Sequence, residues 1–408
     1  MIAQNKRKAL FFWGLCTLFY AYQYILRVVP SILVDDYLVR FNMDVNIFGH
    51  MSGLYYVGYA AAHIPLGILL DRFGPRKVLF TCCLLTALSN LPLIMSEFWI
   101  YPLIGRFITG IGSSAAILGL FKIISMNFKE SEFTKLLGIS VTISLIGAIY
   151  GGQPLKYLIN IYGRDTIIFI LILSGIKLAI SFLFVSQKQE ITNSSTSIRK
   201  DLKKLLQNKR VIIVSILSGL MVGPMEGFAD IWGIKFLTTT YNFPEAIAAS
   251  LPSFIFVGMC TGTFLIAMIN IDKKSSKYYH FLRLCAVVMA AGFILLLCGV
   301  GNSVLVSIVL FLIGIMCAYQ VIAIAKVSSL VNKSLTGIST SFCNMIIMSF
   351  GYFFHVSIGK ISYSFQASYP SENSYRYAIA IIPIALIVAA FGFTLLSIKE
   401  EKIIDNSI

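Results

Sequence analysis

Charged residues are scarce in this sequence. Asp, Glu, Lys and Arg make up 12% of its 408 residues, whereas a soluble domain carries roughly 25%. Hydrophobic residues make up 57%, which leaves too few polar side chains to cover a water-soluble fold. The composition therefore excludes an ordinary soluble protein and indicates a chain that lies mostly in lipid.

Acidic residues are the scarcest charges, with 18 Asp and Glu against 33 Lys and Arg and a formal net charge of +15. Such an excess could serve nucleic-acid binding, but the sequence lacks a basic face with interleaved aromatic residues. Most Lys and Arg instead fall in short stretches between apolar runs, which is typical of cytoplasmic membrane loops. We therefore expect no nucleic-acid partner.

Motifs of several catalytic and cofactor-binding classes are also missing. The eight cysteines lie inside apolar runs without the paired spacing of disulfides or metal sites, so we expect neither a metal nor a cofactor. The sequence has no phosphate-binding G-x-x-x-x-G-K-[ST] loop, which argues against a nucleotide-driven pump. It also has no H-E-x-x-H or G-x-S-x-G motif, so an intramembrane enzyme is disfavoured.

Twelve stretches are long and apolar enough to cross a bilayer as helices, which takes about 20 residues each. With the N-terminus inside, 22 Lys and Arg fall on the cytoplasmic side and five on the outer side, so the positive-inside rule predicts that both termini are cytoplasmic. The sequence thus predicts an all-α membrane protein. Its predicted spans are residues 9–34, 47–70, 78–96, 99–124, 135–156, 165–186, 211–236, 246–271, 281–300, 303–326, 336–360 and 376–398.

The longest polar stretch, residues 186–210, divides the chain into two groups of six spans. We expect an N-terminal six-helix bundle over 1–185, a cytoplasmic linker over 186–210 and a C-terminal six-helix bundle over 211–408. The basic part of the linker is interpreted as solvated, with lipid binding as the alternative.

The two halves resemble each other at an offset near 200 residues. Gly110 and Lys122 in span 4 match Gly314 and Lys326 in span 10. Repeated halves of this kind are typical of transporters, whose solute site lies near the membrane midplane where the repeats meet.

The segment GILLDRFGPRK, residues 67–77, is the most specific motif in the chain. It resembles the signature loop of the major facilitator superfamily, G-x-L-x-D-R-x-G-x-R-K, and together with twelve spans and a repeat it implies that fold for the whole chain. We expect Gly67 to allow close helix approach and Gly74 a tight turn. The resemblance implies that Asp71 accepts hydrogen bonds from the start of span 11.

Two further elements bear on this resemblance. RFITGIGSSAA, residues 106–116, is similar to the superfamily's R-x-x-x-G-x-G-x-x-A pattern, and Arg106 either orients span 1 by bonding its carbonyl groups or takes part in proton coupling. Span 5 reads GAIYGGQP over 147–154 and departs from the antiporter pattern G-x-x-x-G-P, which disfavours a drug/proton antiporter. Segments of spans 1, 2 and 4 resemble lysosomal dipeptide transporters and their bacterial relatives.

The residues predicted to control gating lie near the ends of spans 2, 4 and 10. For Lys122 and Lys326 two interpretations remain open, snorkelling to the headgroups and binding a carboxylate at an inner gate. Arg72 and Arg76 can pair with carboxylates or anionic lipid. The full predicted gating set is Gly67, Asp71, Arg72, Gly74, Arg76, Arg106, Lys122 and Lys326.

Ionisable residues inside spans are costly and therefore mark candidate sites. Glu226 and Asp230 in span 7 are spaced i and i+4, so they share one helix face, and Gly223-Pro224 before them should interrupt the helix. Arg27 in span 1 lies at a comparable depth. These charges could bind a zwitterion, or they could form a static pair that clamps the halves.

Polar and aromatic residues around these charges complete the predicted solute site. Tyr55, Tyr59 and His63 follow an i, i+4, i+8 line on span 2 and could form one polar stripe, although for any single tyrosine ordinary aromatic packing or an interfacial belt is the better interpretation. The predicted substrate-binding residues are Arg27, Glu226, Asp230, Tyr20, Gln23, Tyr55, Tyr59, His63, Gln320 and Asn344.

These features predict a secondary transporter that moves a small polar solute by alternating access. Both charge signs in one site suit an amino acid or dipeptide, and the titratable groups allow symport with protons, although uniport stays open. The alternative is an organic-anion or sugar-phosphate exchanger that uses Arg27, Lys122 and Lys326. A non-transporting membrane sensor is disfavoured because no soluble output domain is present. We expect a monomer in a bacterial inner membrane, in contact with lipid.

Overall fold

The computed structural model describes residues 2–185, 198–268, 277–299, 301–332, 335–366 and 368–405. Helices make up the regular secondary structure of these residues, and they contain no β-strand. This confirms the predicted all-α fold class. The chain divides into two compact units, Met1–Ser194 and Ser195–Ile408, called here the N-terminal and the C-terminal unit.

The N-terminal unit contains nine α-helices and a short 3-10 helix, Val29–Ile32, among its described residues. Its long helices pack in three pairs: α1 lies against α7, α3 against α6, and α4 against α9. The α-helices are α1 (Ile2–Val28), α2 (Val34–Arg40), α3 (Val45–Phe73), α4 (Pro75–Leu88), α5 (Pro92–Met95), α6 (Ile100–Asn127), α7 (Glu130–Tyr150), α8 (Gln153–Tyr162) and α9 (Arg164–Leu183).

The C-terminal unit contains a π-helix, Gly223–Trp232, between two of its α-helices. Its α-helices are α10 (Ile198–Gln207), α11 (Lys209–Leu220), α12 (Gly233–Thr240), α13 (Glu245–Ser250), α14 (Ser253–Met268), α15 (Lys277–Leu297), α16 (Ser303–Cys317), α17 (Tyr319–Ser329), α18 (Thr336–Gln366), α19 (Ser371–Ile379) and α20 (Ile381–Asp405). Here α11 packs against α18, α14 against α16, and α15 against α20. In both units, then, the first span pairs with the fifth, the second with the fourth and the third with the sixth.

Glycines set the closest of these pairings. A Cβ at Gly58 of α3 would collide with the Phe107 carbonyl oxygen of α6, and one at Gly110 would collide with the Tyr55 carbonyl oxygen. In the C-terminal unit Gly258 and Gly314 make the equivalent contacts between α14 and α16. Small residues at a crossing let two membrane helices meet backbone to backbone, and the repeat places them at corresponding positions.

Eleven helices of the described residues are long and apolar enough to span a membrane. A twelfth candidate, predicted as one span over 135–156, is instead a bent pair, Lys135–Tyr150 and Gln153–Tyr162, with 43° between its parts. Pro154 lies in the first turn of α8, where its missing N–H is tolerated, so the helix restarts there after Gly151-Gly152. The total is twelve when this pair counts as one span.

The second half of the predicted linker is helical. Residues 186–197 lie outside the described residues, whereas Ile198–Gln207 forms α10 and α11 begins at Lys209. Leu205 of α10 is buried. Lys203, Lys204, Lys209 and Arg210 are exposed, so the basic part of the linker is accessible to solvent or lipid while Leu205 packs against the folded unit.

Candidate functional site

The signature loop turns sharply between α3 and α4. Gly74 has φ +78°, a backbone conformation that favours glycine, and Pro75 begins α4 directly after it. This agrees with the tight turn predicted at Gly74. At Gly67, in contrast, an added Cβ would have no heavy atom of the described residues within 4 Å, so the close helix approach at Gly67 stays a prediction.

Charged residues of this loop bond to other helices of the N-terminal unit. Asp71 accepts a hydrogen bond from Lys122 Nζ at 2.7 Å, which joins the end of α3 to α6. Arg76 donates to the Leu183 carbonyl oxygen at the end of α9. Arg72 is exposed and lies over the Phe73 ring at 5.4 Å. The contact of Asp71 with span 11 stays a prediction.

The repeated lysines both bind carboxylates. Lys122 pairs with Asp71, and Lys326 of α17 pairs with Glu400 of α20, with Nζ to Oε distances of 2.8 and 3.1 Å. Lys326 also lies 4.6 Å from the centre of the Tyr279 ring. Because Lys326 is buried, the snorkelling interpretation is wrong for it, and carboxylate binding is the interpretation that the geometry supports.

The predicted stripe on α3 forms a continuous row of neighbouring rings. The Tyr55 and Tyr59 rings are 6.1 Å apart, and Tyr59 stacks on His63 at 5.5 Å. Tyr55 donates to Gln23 Oε1 of α1 at 2.6 Å. His63 Nδ1 lies 2.9 Å from the Ser114 hydroxyl of α6. The stripe therefore links three helices of the N-terminal unit, and all of its members are buried.

Two buried guanidinium groups lie near the end of α1. Arg27, in the last turn of α1, lies over the Tyr24 ring at 4.5 Å and the Tyr56 ring at 5.7 Å. Arg106 donates to the Leu26 carbonyl oxygen at 2.9 Å and to that of Arg27 at 3.4 Å. Arg106 thus makes the backbone contacts to span 1 that its orienting interpretation requires, and it holds the end of α1 where Arg27 lies.

The two acids of span 7 lie on the π-helix. The regular α-helix stops at Leu220, and the wider helix begins at Gly223 with Pro224 in its first turn. The predicted interruption at Gly223-Pro224 is therefore confirmed, although the sequence did not indicate a π-helix. Short π-helical segments are frequent at functional sites. Glu226 and Asp230 are both fully buried there.

Neighbouring helices of the C-terminal unit surround this π-helix. His355 of α18 donates from Nε2 to the Glu226 carbonyl oxygen at 2.6 Å. The π-helix also packs against α14 and α16. The acidic segment is thus held from two sides by helices of its own unit.

The remaining predicted ligands are less closely tied to these clusters. Gln320 is buried in α17 and Asn344 is half-buried in α18. Tyr20 is half-buried and packs edge to face on Tyr24 at 5.3 Å. Tyr20 therefore joins the aromatic surroundings of Arg27 through Tyr24.

Sequence reasoning missed His355 and Glu400. His355 falls inside predicted span 11 and is one of four histidines in the chain, so the rule applied to Glu226 and Asp230 would have found it. Glu400 lies two residues beyond the predicted end of span 12 and looks like a loop residue. Its partnership with Lys326 could not be anticipated, because the two residues are 74 positions apart.

The described residues were also compared with the requirements of a metal site. Within the described ranges, no group of three or more His, Cys, Asp or Glu side chains is placed to hold a metal ion. The eight cysteines are free thiols.

Comparison with known families gives one match over most of the chain. The model of the Major Facilitator Superfamily matches residues 11–356. Two solved structures of 14% sequence identity share the fold. The nucleoside transporter NupG has a TM-score of 0.76, with 94% of this chain and 99% of that one covered. A bacterial homologue of the human lysosomal transporter Spinster, inward-facing and unoccupied, has a TM-score of 0.75, with 97% and 98% covered.

Three curated relatives align with parts of the chain at 22–25% identity. The inner membrane transport protein YajR of Escherichia coli (strain K12) is 23% identical over 206 residues, 49% of this chain and 44% of that protein. The multidrug resistance protein MdtM of Salmonella typhimurium is 25% identical over 53% of this chain and 55% of that protein. This chain thus aligns with about half the length of these two relatives. A quinolone resistance transporter of Acinetobacter baumannii is 22% identical over 80% of this chain and 81% of its own length.

Proposed function

The chain belongs to the major facilitator superfamily, and on that premise we propose that it is a secondary transporter of a small zwitterionic solute, an amino acid or a dipeptide, in symport with protons. It is a multi-pass membrane protein of a family of transporters. The proposal adds the solute class, the coupling ion, both cytoplasmic termini and a monomeric state in a bacterial inner membrane.

The observation that carries the solute class is the burial of opposite charges in the first span of each unit. Arg27 is buried at the end of α1, and Glu226 and Asp230 are buried in the π-helix that follows α11. A charge inside a membrane helix costs roughly 2.5 to 3.5 kcal/mol on insertion scales, so such residues are retained for function. A buried guanidinium group suits a solute carboxylate and buried carboxylates suit a solute amine, so the two charge signs together favour a zwitterion.

Proton coupling is the second part of the proposal. Glu226 and Asp230 can take up a proton, and His63 lies on the stripe that leads along α3. His355 donates a hydrogen bond to the Glu226 carbonyl oxygen. The position of Glu226 therefore depends on a histidine, which is itself titratable. These groups supply the proton sites that a symporter needs.

The organic-anion exchanger is less well supported. That alternative uses Lys122 and Lys326 as anion ligands, but each lysine already binds a carboxylate of its own unit, Asp71 and Glu400. Two buried acids in span 7 also repel an anion. A second candidate, export of an organic cation, is favoured by the two relatives described as resistance proteins, because the same acids could bind a cationic drug.

Uptake into proteoliposomes tests these alternatives. We expect a pH gradient to drive accumulation of a labelled amino acid or dipeptide. Arg27→Ala, Glu226→Gln and Asp230→Asn should each weaken binding by on the order of 2 to 5 kcal/mol, since each removes a buried charge that pairs with the solute. Lys177→Gln, at an exposed cation of α9, is the matched control and should transport normally.

Two results would overturn the assignment. Restored transport in an Arg27→Gln, Asp230→Asn double variant would identify those residues as a structural pair and remove them from the solute site. Transport of a lipophilic cation that does not depend on Arg27, with no transport of amino acids or peptides, would establish the export candidate instead.

A further inference from the structure

We propose that α10 and the first turn of α11 form a binding surface for anionic phospholipid headgroups. This inference is independent of the transported solute. It concerns residues 198–210, a segment that contains six Lys and Arg and one acidic residue. The surface consists of Lys203, Lys204, Leu206, Lys209 and Arg210, and it is called here the basic corner.

The basic corner is fixed at the end of a membrane span. A single residue, Asn208, separates α10 from the candidate span Lys209–Thr240. The Asn208 side chain accepts hydrogen bonds from the Arg210 and Val211 amides at 3.2 and 3.3 Å. Its Nδ2 donates to the Leu330 carbonyl oxygen at the end of α17, at 3.2 Å. Because α10 is about 15 Å long, all of its residues stay within about that distance of the first turn of the span.

Two adjacent leucines give α10 different contacts on its two sides. Leu205 is 1% exposed and attaches the helix to its own unit, whereas Leu206 is 53% exposed. Lys203 lies one turn before Leu206 on the helix surface. An exposed apolar side chain beside cations is the pattern of helices that lie in the headgroup region, where the apolar part enters the acyl boundary and the cations meet phosphates.

Charge decides which lipid fits. Lys203, Lys204, Lys209 and Arg210 are all exposed, so the basic corner presents four cations within eight residues. Phosphatidylcholine carries no net charge, whereas phosphatidylglycerol offers an anionic phosphate next to the acyl chains that Leu206 can enter. Each Lys or Arg near an anionic leaflet strengthens binding by about fivefold. A free phosphate ion supplies only the charge and leaves Leu206 in water.

Hydrogen–deuterium exchange of the full chain in nanodiscs tests the proposal. The two compositions are phosphatidylcholine alone and phosphatidylcholine with phosphatidylglycerol. We expect the amides of α10 to exchange several-fold more slowly when phosphatidylglycerol is present, and about 0.5 M NaCl should remove most of that difference. Equal exchange of α10 in the two compositions would overturn the proposal.

Substitutions test whether the basic corner causes the slower exchange of α10. Lys203→Gln with Lys204→Gln should abolish the slowing, and Leu206→Ser should reduce it. Lys129→Gln with Lys135→Gln, which neutralises two exposed lysines in the N-terminal unit, should leave the slowing at α10 unchanged. If the control pair abolishes it equally, the effect is general electrostatics and the proposal fails.

Added inorganic phosphate separates the two sources of anion. In phosphatidylcholine nanodiscs, millimolar phosphate should leave the exchange of α10 unchanged. Protection by phosphate equal to that by phosphatidylglycerol would show a soluble-anion site and contradict the lipid surface. Protection of α10 only in the presence of an acidic soluble protein would likewise contradict it.

Discussion

The two units bind their repeated lysines in different ways. In the N-terminal unit, Lys122 and Asp71 are 24% and 46% exposed. In the C-terminal unit, Lys326 and Glu400 are 1% and 15% exposed, and the Tyr279 ring covers the ammonium group. The repeat thus preserves the position of the cation but changes its partner, from the end of α3 to the end of α20. Burial determines how strongly each pair affects stability.

The first span of each unit shows a second difference. In the N-terminal unit, α1 is regular to Val28 and ends in a 3-10 turn that contains Pro30. In the C-terminal unit the helix changes to a π-helix at Gly223, near its middle. The same repeated element therefore carries a cation at a helix end in one unit and two acids in a widened segment in the other. The two units share the order in which their spans pair, and they differ in the backbone geometry of the first span.

A substitution that separates the paired helices α3 and α6 should have the largest effect on folding. Gly110→Leu places a side chain against the Tyr55 carbonyl oxygen, so α3 and α6 must separate, and we expect no folded protein to be recovered. Gly138→Ala has no heavy atom of the described residues within 4 Å of the new Cβ and should fold normally. Size-exclusion chromatography in detergent measures both. A folded Gly110→Leu protein would contradict the tight crossing.

The contrast between the two lysine pairs predicts the next largest effect. Lys326→Met should lower the free energy of unfolding by about 3 to 5 kcal/mol, because it leaves Glu400 largely buried without its cation. Lys122→Met should lower it by no more than about 1 kcal/mol, since its pair is half exposed. Thermal unfolding of both variants in the same detergent tests this order. Equal losses of stability in the two variants would show that burial does not determine how much each ion pair contributes.

The histidines of the two units should also differ. His355→Ala removes the donor to the Glu226 carbonyl oxygen and should cost about 1 to 3 kcal/mol. His63→Ala should cost less, because the Ser114 hydroxyl can turn to a carbonyl oxygen of its own helix. The measurement is thermal stability together with solute affinity. A larger loss from His63→Ala would reverse this comparison.

Two tyrosine hydroxyls should give the smallest effects. Tyr55 bonds Gln23 at 2.6 Å in the N-terminal unit, and Tyr319 bonds the Ser218 carbonyl oxygen at 2.7 Å in the C-terminal unit. Each ties another helix to the first span of its unit. Replacement of either by Phe should cost about 0.5 to 1.5 kcal/mol, with the ring packing retained. Thermal unfolding of each variant beside the wild-type protein measures this difference. A loss of stability larger than that of His355→Ala would contradict this ranking.

The spans, the turn at Gly74, the stripe of Tyr55, Tyr59 and His63, and the break at Gly223-Pro224 could be predicted from the sequence. Each depends on residues that are close along the chain. Hydropathy over about 20 residues determines whether a helix can cross lipid. The i, i+4 spacing determines which side chains share a helix face. Proline and glycine limit the backbone where they occur.

Only the tertiary structure determined the partner of each charge. Lys122 meets Asp71 across 51 residues of sequence and Lys326 meets Glu400 across 74, while His355 reaches the π-helix across 129. The burial of Leu205, which attaches α10 to its unit, is also tertiary. These contacts depend on how each helix is rotated and how far it is shifted against its neighbours. Hydropathy leaves both quantities free, and they become fixed only when the glycine crossings and the packed side chains bring distant helices together.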